Sequence, residues 1–251
     1  MNEILQELLN RKSIRNFTGE SVKDEDLKLI FEAAQRAPTS VNGQQVSIVY
    51  TKDKEKLKQI SELCAGQEHI KNCEVFVMFV IDYNRTAYTL EKINQKQMIQ
   101  ESAEGIIVGS VDAGIMLSTL QTAARSLGYG TTAIGAVRLS VEKFIEILDL
   151  PKNTYPLVGS TIGVPTKEAL QAPLKPRIPF DSFVFEDKYD DKKAKDGVEA
   201  YETILSDFRK ANGMNYKTSY KEEMARFYTK SYTRDIKKTF EHQGFIFKDS
   251  N

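Results

Sequence analysis

The segment from Glu101 to Leu127 constrains the fold of this chain more than any other part of its sequence. Apolar residues go most of the way round its helical wheel, which predicts one long helix that is buried on several sides. At about 1.5 Å per residue such a helix would span roughly 40 Å, more than a small monomer usually hides. We therefore expect a second subunit to cover the surplus, and Gly128 suits the C-terminal cap of the helix.

The uncharged stretches in and after this helix are too short to predict a membrane span. A span needs about 20 apolar residues, whereas the uncharged stretches Ala113–Ala124 and Ser126–Val137 have about a dozen each. Residues Met1–Arg11 contain no long apolar run and no small-residue cleavage site, so no signal peptide is predicted. We expect a cytoplasmic protein with reduced cysteines.

Hydrophobic periodicity predicts further helices and strands on both sides of the long helix. A nearly continuous run of β-branched and aromatic residues at Cys73–Asp82 indicates a strand buried on both of its faces. Ser21, three residues before Asp24, predicts a capping box for a helix that Pro38 ends. The proline-rich stretch Pro165–Phe180 is predicted to be a loop. The other predicted helices are Glu3–Asn10, Asp53–Leu63, Val141–Leu148, Lys195–Lys210 and Ser219–His242, and the other predicted strands are Val46–Tyr50, Thr131–Val137 and Pro156–Val164.

Composition excludes several classes of protein. The length of 251 residues allows one or two domains, and we expect a domain at residues 1–190 with a helical extension of the same domain at residues 191–251. The 35 Lys and Arg residues balance 35 Asp and Glu residues, which disfavours a generally basic nucleic-acid binder. Two cysteines and two histidines are too few for a disulfide framework or a structural zinc site. The sequence also lacks the Gly-x-Ser-x-Gly motif that would indicate a hydrolase.

Two segments are rich in groups that bind anions or heterocycles. Arg11–Arg15 places three cations and a serine hydroxyl within five residues, and guanidinium groups bind phosphate through parallel hydrogen bonds. A cationic helix C-terminus would explain the same residues without a ligand. The Pro38–Gln45 loop is dense in amides and hydroxyls that can bind the edge of a heterocycle, although its Asn-Gly pair also favours an ordinary turn.

Two further segments are weaker candidates on their own. Gly128–Ala136 is rich in glycine, but a helix precedes it and a strand follows it, the reverse of a dinucleotide-binding fingerprint. Its small residues Gly135 and Ala136 could let a flat ring approach the backbone. Lys175 and Arg177 put two cations on a stiff loop, on either side of a proline.

Five motifs follow one another along the chain. They are Arg-x-Ser-x-Arg at 11–15, Pro-Thr-Ser-x-Asn-x-Gln at 38–44, Gly-Gln-x-His at 66–69, Ile-Gly-Ala-x-Arg at 134–138 and Lys-Pro-Arg-x-Pro at 175–179. Their order and spacing resemble the FMN-dependent nitroreductase family, and within it the NADPH-linked flavin reductases and oxygen-insensitive nitroreductases. The resemblance extends over nearly the whole chain, including the C-terminal helical extension.

The resemblance implies an α+β fold and a shared cofactor site. The expected architecture is a nitroreductase-like three-layer sandwich, with a central, mostly antiparallel sheet flanked by helices, in an intertwined homodimer. Two FMN molecules would lie at the dimer interface, each contacted by both chains, and the long helix would form the core of that interface. Residue matching implies these flavin-binding residues: Arg11, Lys12, Ser13, Arg15, Thr39, Ser40, Asn42, Gln44, Gln67, Ala133, Ile134, Gly135, Ala136, Lys175 and Arg177.

The resemblance also implies an activity. NADPH or NADH would reduce the bound FMN, and a small-molecule acceptor would then take two electrons in the same pocket, which is a ping-pong scheme. Nitroaromatics, quinones and free flavins are the candidate acceptors. No catalytic side chain and no metal is expected, because the cofactor carries the chemistry. Arg15 is our hypothesis for a cation beside N1 and the C2 carbonyl of the flavin.

The chain departs from the family pattern near its C-terminus. Where the related flavin reductases carry an arginine that contacts the NADPH phosphate, this chain has Asn212. Arg209 and Lys210 lie nearby, and Arg234 matches an arginine at the mouth of the active site, so these three are the implied nicotinamide or substrate contacts. A flavin-binding sensor or carrier without turnover, and a dehalogenase or desaturase of the same superfamily, remain as alternatives.

Overall fold

A four-stranded antiparallel sheet lies at the centre of the computed structural model, which describes residues 2–229 and 235–248. Its strands are β1 (Val46–Thr51), β2 (Val75–Asp82), β3 (Gly130–Ile134) and β4 (Thr154–Gly163). They lie in the order β1-β2-β4-β3, and each neighbouring pair runs antiparallel. The predicted α+β architecture with an antiparallel sheet is therefore confirmed.

The helices complete the fold. In chain order they are α1 (Glu3–Leu9), α2 (Asp24–Gln35), α3 (Lys54–Leu63), α4 (Glu68–Lys71), α5 (Asn84–Glu91), α6 (Ala103–Ser126), α7 (Val141–Ile147), α8 (Lys167–Gln171), α9 (Asp191–Ala211), α10 (Tyr220–Tyr228) and α11 (Ile236–His242).

Helices cover both faces of the sheet. On one face α2 and α6 pack against Val75, Val77 and Phe79 of β2. On the other face α3, α4 and α7 pack against the alternate residues of the same strand, such as Phe76 and Met78. Side chains along a strand point to opposite faces in turn, so β2 is buried between two helical layers. This explains why its sequence is a continuous apolar run.

Helix α6 is the predicted long helix, and it begins at Ala103, two residues later than expected. Its inner side packs through Met116 and Leu120 into the core beneath α2. On its outer side Ile107 and Val111 remain 55% and 54% exposed. Among the described residues α6 is the one helix long and apolar enough to cross a membrane, but its packing on α2 and the strands is that of a core helix.

The predicted start of α2 is wrong. The helix begins at Asp24 after Lys23, and neither residue forms the capping box expected from Ser21. Val22 is buried, and the backbone N–H of Lys23 donates to the Tyr129 hydroxyl at 3.3 Å. These contacts hold residues 22 and 23 outside the helix, and the three carboxylates of the first turn then favour its start through the helix dipole.

The single helix predicted at Ser219–His242 is also wrong. The segment contains α10, which Ser219 begins through a capping box with Glu222, and α11, which follows Asp235. The φ angle of Asp235 is 62°, in the left-handed region that a continuous right-handed helix excludes.

Two smaller predictions need correction. The strand predicted at Thr131–Val137 ends at Ile134, and the chain continues as a 3₁₀ helix at Gly135–Leu139. The guanidinium of Arg138 lies 3.2 Å from the position that a Cβ of Gly135 would take, so the missing side chain allows the tight turn. The loop predicted at Pro165–Phe180 contains α8, because the residues between its first two prolines retain their backbone N–H donors.

The described residues fall into two units. One lies within Met1–Leu170 and Thr233–Asn251 and holds the sheet, and the other lies within Gln171–Tyr232 and holds α9 and α10. In the second unit the Tyr201 hydroxyl donates to the Pro176 carbonyl at 3.1 Å. Gly197 of α9 has no Cβ where the Ser182 side chain packs against it. These contacts fix the proline-rich loop on α9.

Candidate functional site

The N-terminal cationic segment lies along the open edge of β3. The backbone N–H of Ile14 donates to the Thr131 carbonyl at 2.9 Å, and the Thr132 hydroxyl donates to the Ile14 carbonyl at 2.5 Å. Ile14 is buried, and Gly130 has no Cβ where the Ile14 side chain packs. The strand thus holds the segment in register, with Ser13 half-buried and Arg15 exposed on either side of Ile14.

The attachment continues beyond the segment. The N–H of Thr18 donates to the Val164 carbonyl at 2.9 Å, and Phe17 forms an isolated β-bridge with Pro165. The Phe17 ring occupies the space that a side chain at Gly163 would fill. Residues 14–18 therefore extend the covered edge from β3 to the end of β4.

Lys12 and Arg11 occupy the other end of the segment. The Lys12 ammonium donates to the Leu170 carbonyl at 2.5 Å, and Arg11 is exposed. The Leu170 carbonyl ties Lys12 to the end of α8, so the segment is fixed at Lys12 as well as at Ile14.

The turn that carries Gln67 lies within electrostatic reach of Arg15. Burial lowers the pKa of His69, and the positive charge of Arg15 lowers it further. The His69 Nε2 atom is buried and has no hydrogen-bond partner among the described residues. Gln67 itself precedes α4, and its carbonyl accepts the Ser61 hydroxyl at 2.9 Å. The structure thus brings Arg15 and the Gln67–His69 turn together.

The predicted ring-binding stretch begins on β3, directly after the residues that hold Ile14. Ala133 is exposed, although the other residues of β3 are buried. Gly135 and Ala136 follow in the 3₁₀ helix, and both are half-buried. The guanidinium of Arg138 is held by the Leu157 carbonyl at 3.0 Å. The stretch therefore presents small side chains and backbone, which suits contact with a flat surface.

The loop with Thr39, Ser40, Asn42 and Gln44 forms a second group, anchored on other elements. The Gln44 N–H donates to the Thr39 hydroxyl at 3.1 Å, and Arg85 donates to the Gln44 carbonyl at 2.7 Å. Ser40, Asn42 and Gln44 are exposed, and Thr39 is half-buried. This loop is bonded to Arg85 of α5 and Asp112 of α6, whereas the Arg11–Arg15 segment is bonded to β3 and α8. The predicted site residues of this unit therefore form two groups, and each group is anchored on different elements of the fold.

The predicted cations of the second unit differ in their surroundings. Lys175 and Arg177 are exposed on the proline-rich loop. The Arg209 guanidinium donates to Glu223 at 2.7 Å and to the Thr218 carbonyl at 2.9 Å. It also lies 4.2 Å from the centre of the Tyr216 ring, so it is engaged within its own unit.

Three further positions near the C-terminus were singled out in the sequence. Lys210 is exposed, with its ammonium 3.8 Å from Asp207. The amide of Asn212 donates to the Phe208 carbonyl at 2.7 Å. Arg234 lies outside the described residues.

Sequence reasoning missed three supporting residues. His69 belongs to the Gly-Gln-x-His motif, but only Gln67 was assigned a role. Arg85 was not singled out, and nothing local in its sequence marks it. Asp112 carries a signal that was available, because it is a lone carboxylate in the middle of an apolar helix.

Comparison with known proteins identifies the family. The sequence matches the nitroreductase family over residues 8–164 and the nitroreductase family C-terminal domain over residues 175–248. The chain belongs to the nitroreductase family. Among members of this family, an FMN reductase [NAD(P)H] from Bacillus subtilis is 39% identical over 249 residues, which cover 98% of each chain.

Two solved nitroreductase-family structures have the same fold. The hypothetical oxidoreductase YcnD from Bacillus subtilis superimposes with a TM-score of 0.94 and 38% identity, over 98% of this chain and 99% of that one. The NADPH:FMN oxidoreductase from Vibrio harveyi, in complex with NAD⁺, gives a TM-score of 0.85 and 28% identity over 97% and 98% of the two chains. The likeness therefore covers both units of the chain.

Proposed function

We propose that this chain is an FMN-dependent NAD(P)H oxidoreductase that reduces nitroaromatics, quinones or free flavins by two electrons. The proposal rests on the residues that lie along the edge of β3 in this nitroreductase-family chain. There the Arg11–Arg15 segment pairs with the strand that leads into the Ala133–Ala136 stretch, and the charge of Arg15 acts on His69 of the Gln67–His69 turn. The names of an FMN reductase and an NADPH:FMN oxidoreductase among its relatives support the cofactor and the co-substrate.

The residues at this edge fit FMN. Arginine and serine donors in the N-terminal segment match a phosphate, which guanidinium groups bind through paired hydrogen bonds. The buried Nε2 of His69 lacks a partner among the described residues, so it can take a ligand atom. Ala133 and Gly135 present little side chain beyond the backbone, which suits a flat ring. Lys175 and Arg177 are further proposed contacts, as the family motif implies.

Each chain residue has a limited task in this scheme. Bound FMN would supply two-electron chemistry between a nicotinamide and a second substrate that use the same pocket in turn. Arg15 carries a permanent charge that stabilises negative charge beside it. His69 stays neutral because burial and Arg15 both lower its pKa, so its Nε2 can serve as a hydrogen-bond donor or acceptor without adding charge.

We also propose that the site is shared between two copies of the chain. Helix α1 packs against α6, and both leave apolar residues in solvent, including Ile4 and Leu9 of α1 and Ile107 and Val111 of α6. The outer side of α6 is the surface that we propose for the contact between the copies, because large apolar side chains left in solvent favour an interaction site. In a homodimer built on this surface, the Thr39–Gln44 loop of one copy would reach the Arg11–Arg15 group of the other, which explains their separate anchoring.

The remaining assignments follow the family. We propose a cytoplasmic location, which agrees with the two buried thiols Cys64 and Cys73 being free. We propose that residues 1–190 form the flavin-binding domain and that residues 191–251 extend it.

The test is the visible spectrum of the purified protein before and after anaerobic addition of NADH or NADPH. We expect flavin absorption that bleaches with either nicotinamide and returns when menadione or a nitroaromatic is added. A bound flavin that neither nicotinamide bleaches would instead identify a sensor or carrier. Protein that stays colourless after soaking in FMN would disprove the proposal.

A further inference from the structure

One carboxylate links the long helix to the Thr39–Gln44 loop. Asp112 of α6 is 4% exposed, and its two oxygens accept the Ser40 N–H at 3.1 and 3.3 Å. The Gln45 side-chain amide donates to the same carboxylate at 2.5 Å. The bonds join residues about seventy positions apart, so they set where the loop lies rather than how it folds locally.

The loop needs such an anchor because its backbone is strained. Val41, Asn42 and Gln44 have φ angles of 46°, 54° and 54°, in the left-handed region. Residues with a side chain disfavour this region, and a β-branched valine disfavours it most. Val41 is 97% exposed, so its own side chain gains nothing from packing. Contacts at the ends of the loop must therefore hold this conformation.

Glycine at position 43 completes the connection. A Cβ at Gly43 would lie 2.4 Å from the Gln45 Oε1 atom. The Gln45 side chain, which is 3% exposed, is thus held between the loop backbone and Asp112. A displaced Asp112 would release Ser40 and Gln45 together.

We propose that Asp112 is a positioning residue for the flavin site: it fixes the Thr39–Gln44 loop in the conformation that contacts the cofactor. The inference rests on the proposed function, since it assigns the loop a flavin contact. It adds a residue in the core that the binding motifs do not include. Acting through Ser40 and Gln45, Asp112 would make flavin affinity depend on the interior of α6.

The environment of Asp112 explains why its role depends on these donors. Burial raises the pKa of Asp112, and the Ser40 N–H lowers it. Tyr83 is a titratable neighbour of Asp112, and its pKa is raised to about 12 by burial, by Asp112 and by Glu104. The Tyr83 hydroxyl donates to the Gly105 carbonyl at 2.6 Å. The Ser40 N–H and the Gln45 amide thus donate to a carboxylate that burial would otherwise destabilise.

The test begins with Asp112→Asn, which keeps the shape of the side chain. The Ser40 N–H and the Gln45 amide both donate to the Oδ2 atom, so an amide oxygen placed there can still accept both bonds. The negative charge that strengthens these bonds is lost, and so is the second oxygen that accepts the Ser40 N–H. We expect FMN to bind about tenfold more weakly, as for one lost hydrogen bond to a charged group. We also expect faster hydrogen exchange at the Ser40 amide in the flavin-free protein.

A double variant provides the rescue. Asp112→Asn with Gln45→Glu exchanges the two roles, because the new amide donates to the new carboxylate and its oxygen still accepts the Ser40 N–H. We expect FMN affinity and Ser40 exchange to return to within about threefold of the original values. The double variant is measured even if Asp112→Asn does not fold.

Thr239→Val is the matched control, because it also removes a buried hydrogen bond, the one between the Thr239 and Tyr155 hydroxyls at 3.0 Å. It should lower thermal stability but leave FMN affinity and Ser40 exchange unchanged. Equal loss of FMN affinity in Asp112→Asn and in the control would overturn the proposal, as would a double variant that regains its fold without regaining affinity. If the unaltered protein does not bind FMN, the proposed function fails, and unchanged Ser40 exchange in Asp112→Asn would separately overturn the positioning role.

Discussion

The positive charge of Arg15 acts on the imidazole of His69 and lowers its pKa. The two residues come from different parts of the chain, the segment along β3 and the turn of α4, and their proximity draws two predicted flavin-binding motifs into one place. His69 is half-buried, so the absence of a partner for its Nε2 atom among the described residues is costly unless a ligand supplies one.

Arg15→Ala should therefore change both flavin binding and a titration. We expect FMN affinity to fall about tenfold or more, because a charge-assisted contact is lost. The pKa of His69 should rise, because the nearby positive charge that lowers it is gone. Flavin fluorescence and proton NMR measure the two effects, and two histidines give a simple spectrum.

Lys28→Ala is the control for Arg15→Ala. It removes the same charge from an exposed position on α2, where Lys28 forms a surface ion pair with Glu32 at 3.7 Å. It should leave both the FMN affinity and the pKa of His69 unchanged. An Arg15→Ala protein with full flavin content and an unmoved His69 titration would refute the assignment of Arg15.

Val111→Asp tests the shared site. The substitution places a carboxylate on the exposed apolar side of α6, and the twofold symmetry of a dimer would bring two such charges together. We expect the dissociation constant of the dimer to rise by about 100-fold or more, with loss of bound flavin. Sedimentation velocity and the ratio of flavin to protein absorbance provide the measurements.

The control for Val111→Asp is Leu29→Asp on α2, since Leu29 is exposed to a similar extent, 53%. It should remain dimeric and yellow. A protein that is monomeric before substitution and still carries a full complement of flavin would contradict the shared site.

We expect the enzyme to use NADH and NADPH at rates that agree within about threefold, because Asn212 replaces the arginine implied for the phosphate contact. Arg209 is already held by Glu223 and Thr218, which leaves Lys210 as the exposed cation of the pair. Lys210→Ala should lower kcat/KM for NADPH by less than about threefold. Steady-state rates with both nicotinamides test this expectation. A strong preference for NADPH that Lys210→Ala abolishes would show that Lys210 replaces the missing arginine.

The two buried thiols should be inert in the native protein. Burial raises the pKa of both Cys64 and Cys73 to about 12, so neither forms the reactive thiolate near pH 8. A thiol reagent should label both only after unfolding. Rapid labelling of native protein would contradict the burial of these side chains.

The same pKa values predict a dependence of stability on pH. Unfolded thiols lose their protons near 9.0, whereas the folded ones keep theirs until about 12. Unfolding above pH 9 therefore releases protons, and the free energy of unfolding should fall as pH rises from about 9 to about 12. Denaturant titrations across this range, with a Cys64→Ala, Cys73→Ala variant as control, measure this slope.

The sequence predicts those elements whose signal is local. The strand Val75–Asp82 and helix α6 are long, nearly continuous apolar segments, and both form within two residues of their expected ends. The start of α2 was missed because it depends on Tyr129, more than a hundred residues away. The separation of α10 from α11 was missed because no motif marks the left-handed backbone angle of Asp235 that precedes α11.

The candidate site follows the same division. The motifs include most of the residues that lie along the edge of β3, and the roles of these residues remain predictions. Periodicity gives no information on which strand carries the Arg11–Arg15 segment, since that is set by Ile14 packing at Gly130. Asp112 and Arg85 were missed because their partners lie on loops distant in sequence.

Val111 and Asp112 are adjacent in sequence, yet one faces solvent and the other lies in the core beside Ser40. Inserting or deleting one residue earlier in α6 would turn both by about 100° about the helix axis. Val111 would then no longer lie on the outer side of α6, and the Asp112 carboxylate would no longer accept the Ser40 N–H. Natural relatives should therefore vary the side chains of α6 freely on its margins, while its number of residues between Gly105 and Asp112 stays constant and length changes accumulate in the connecting loops.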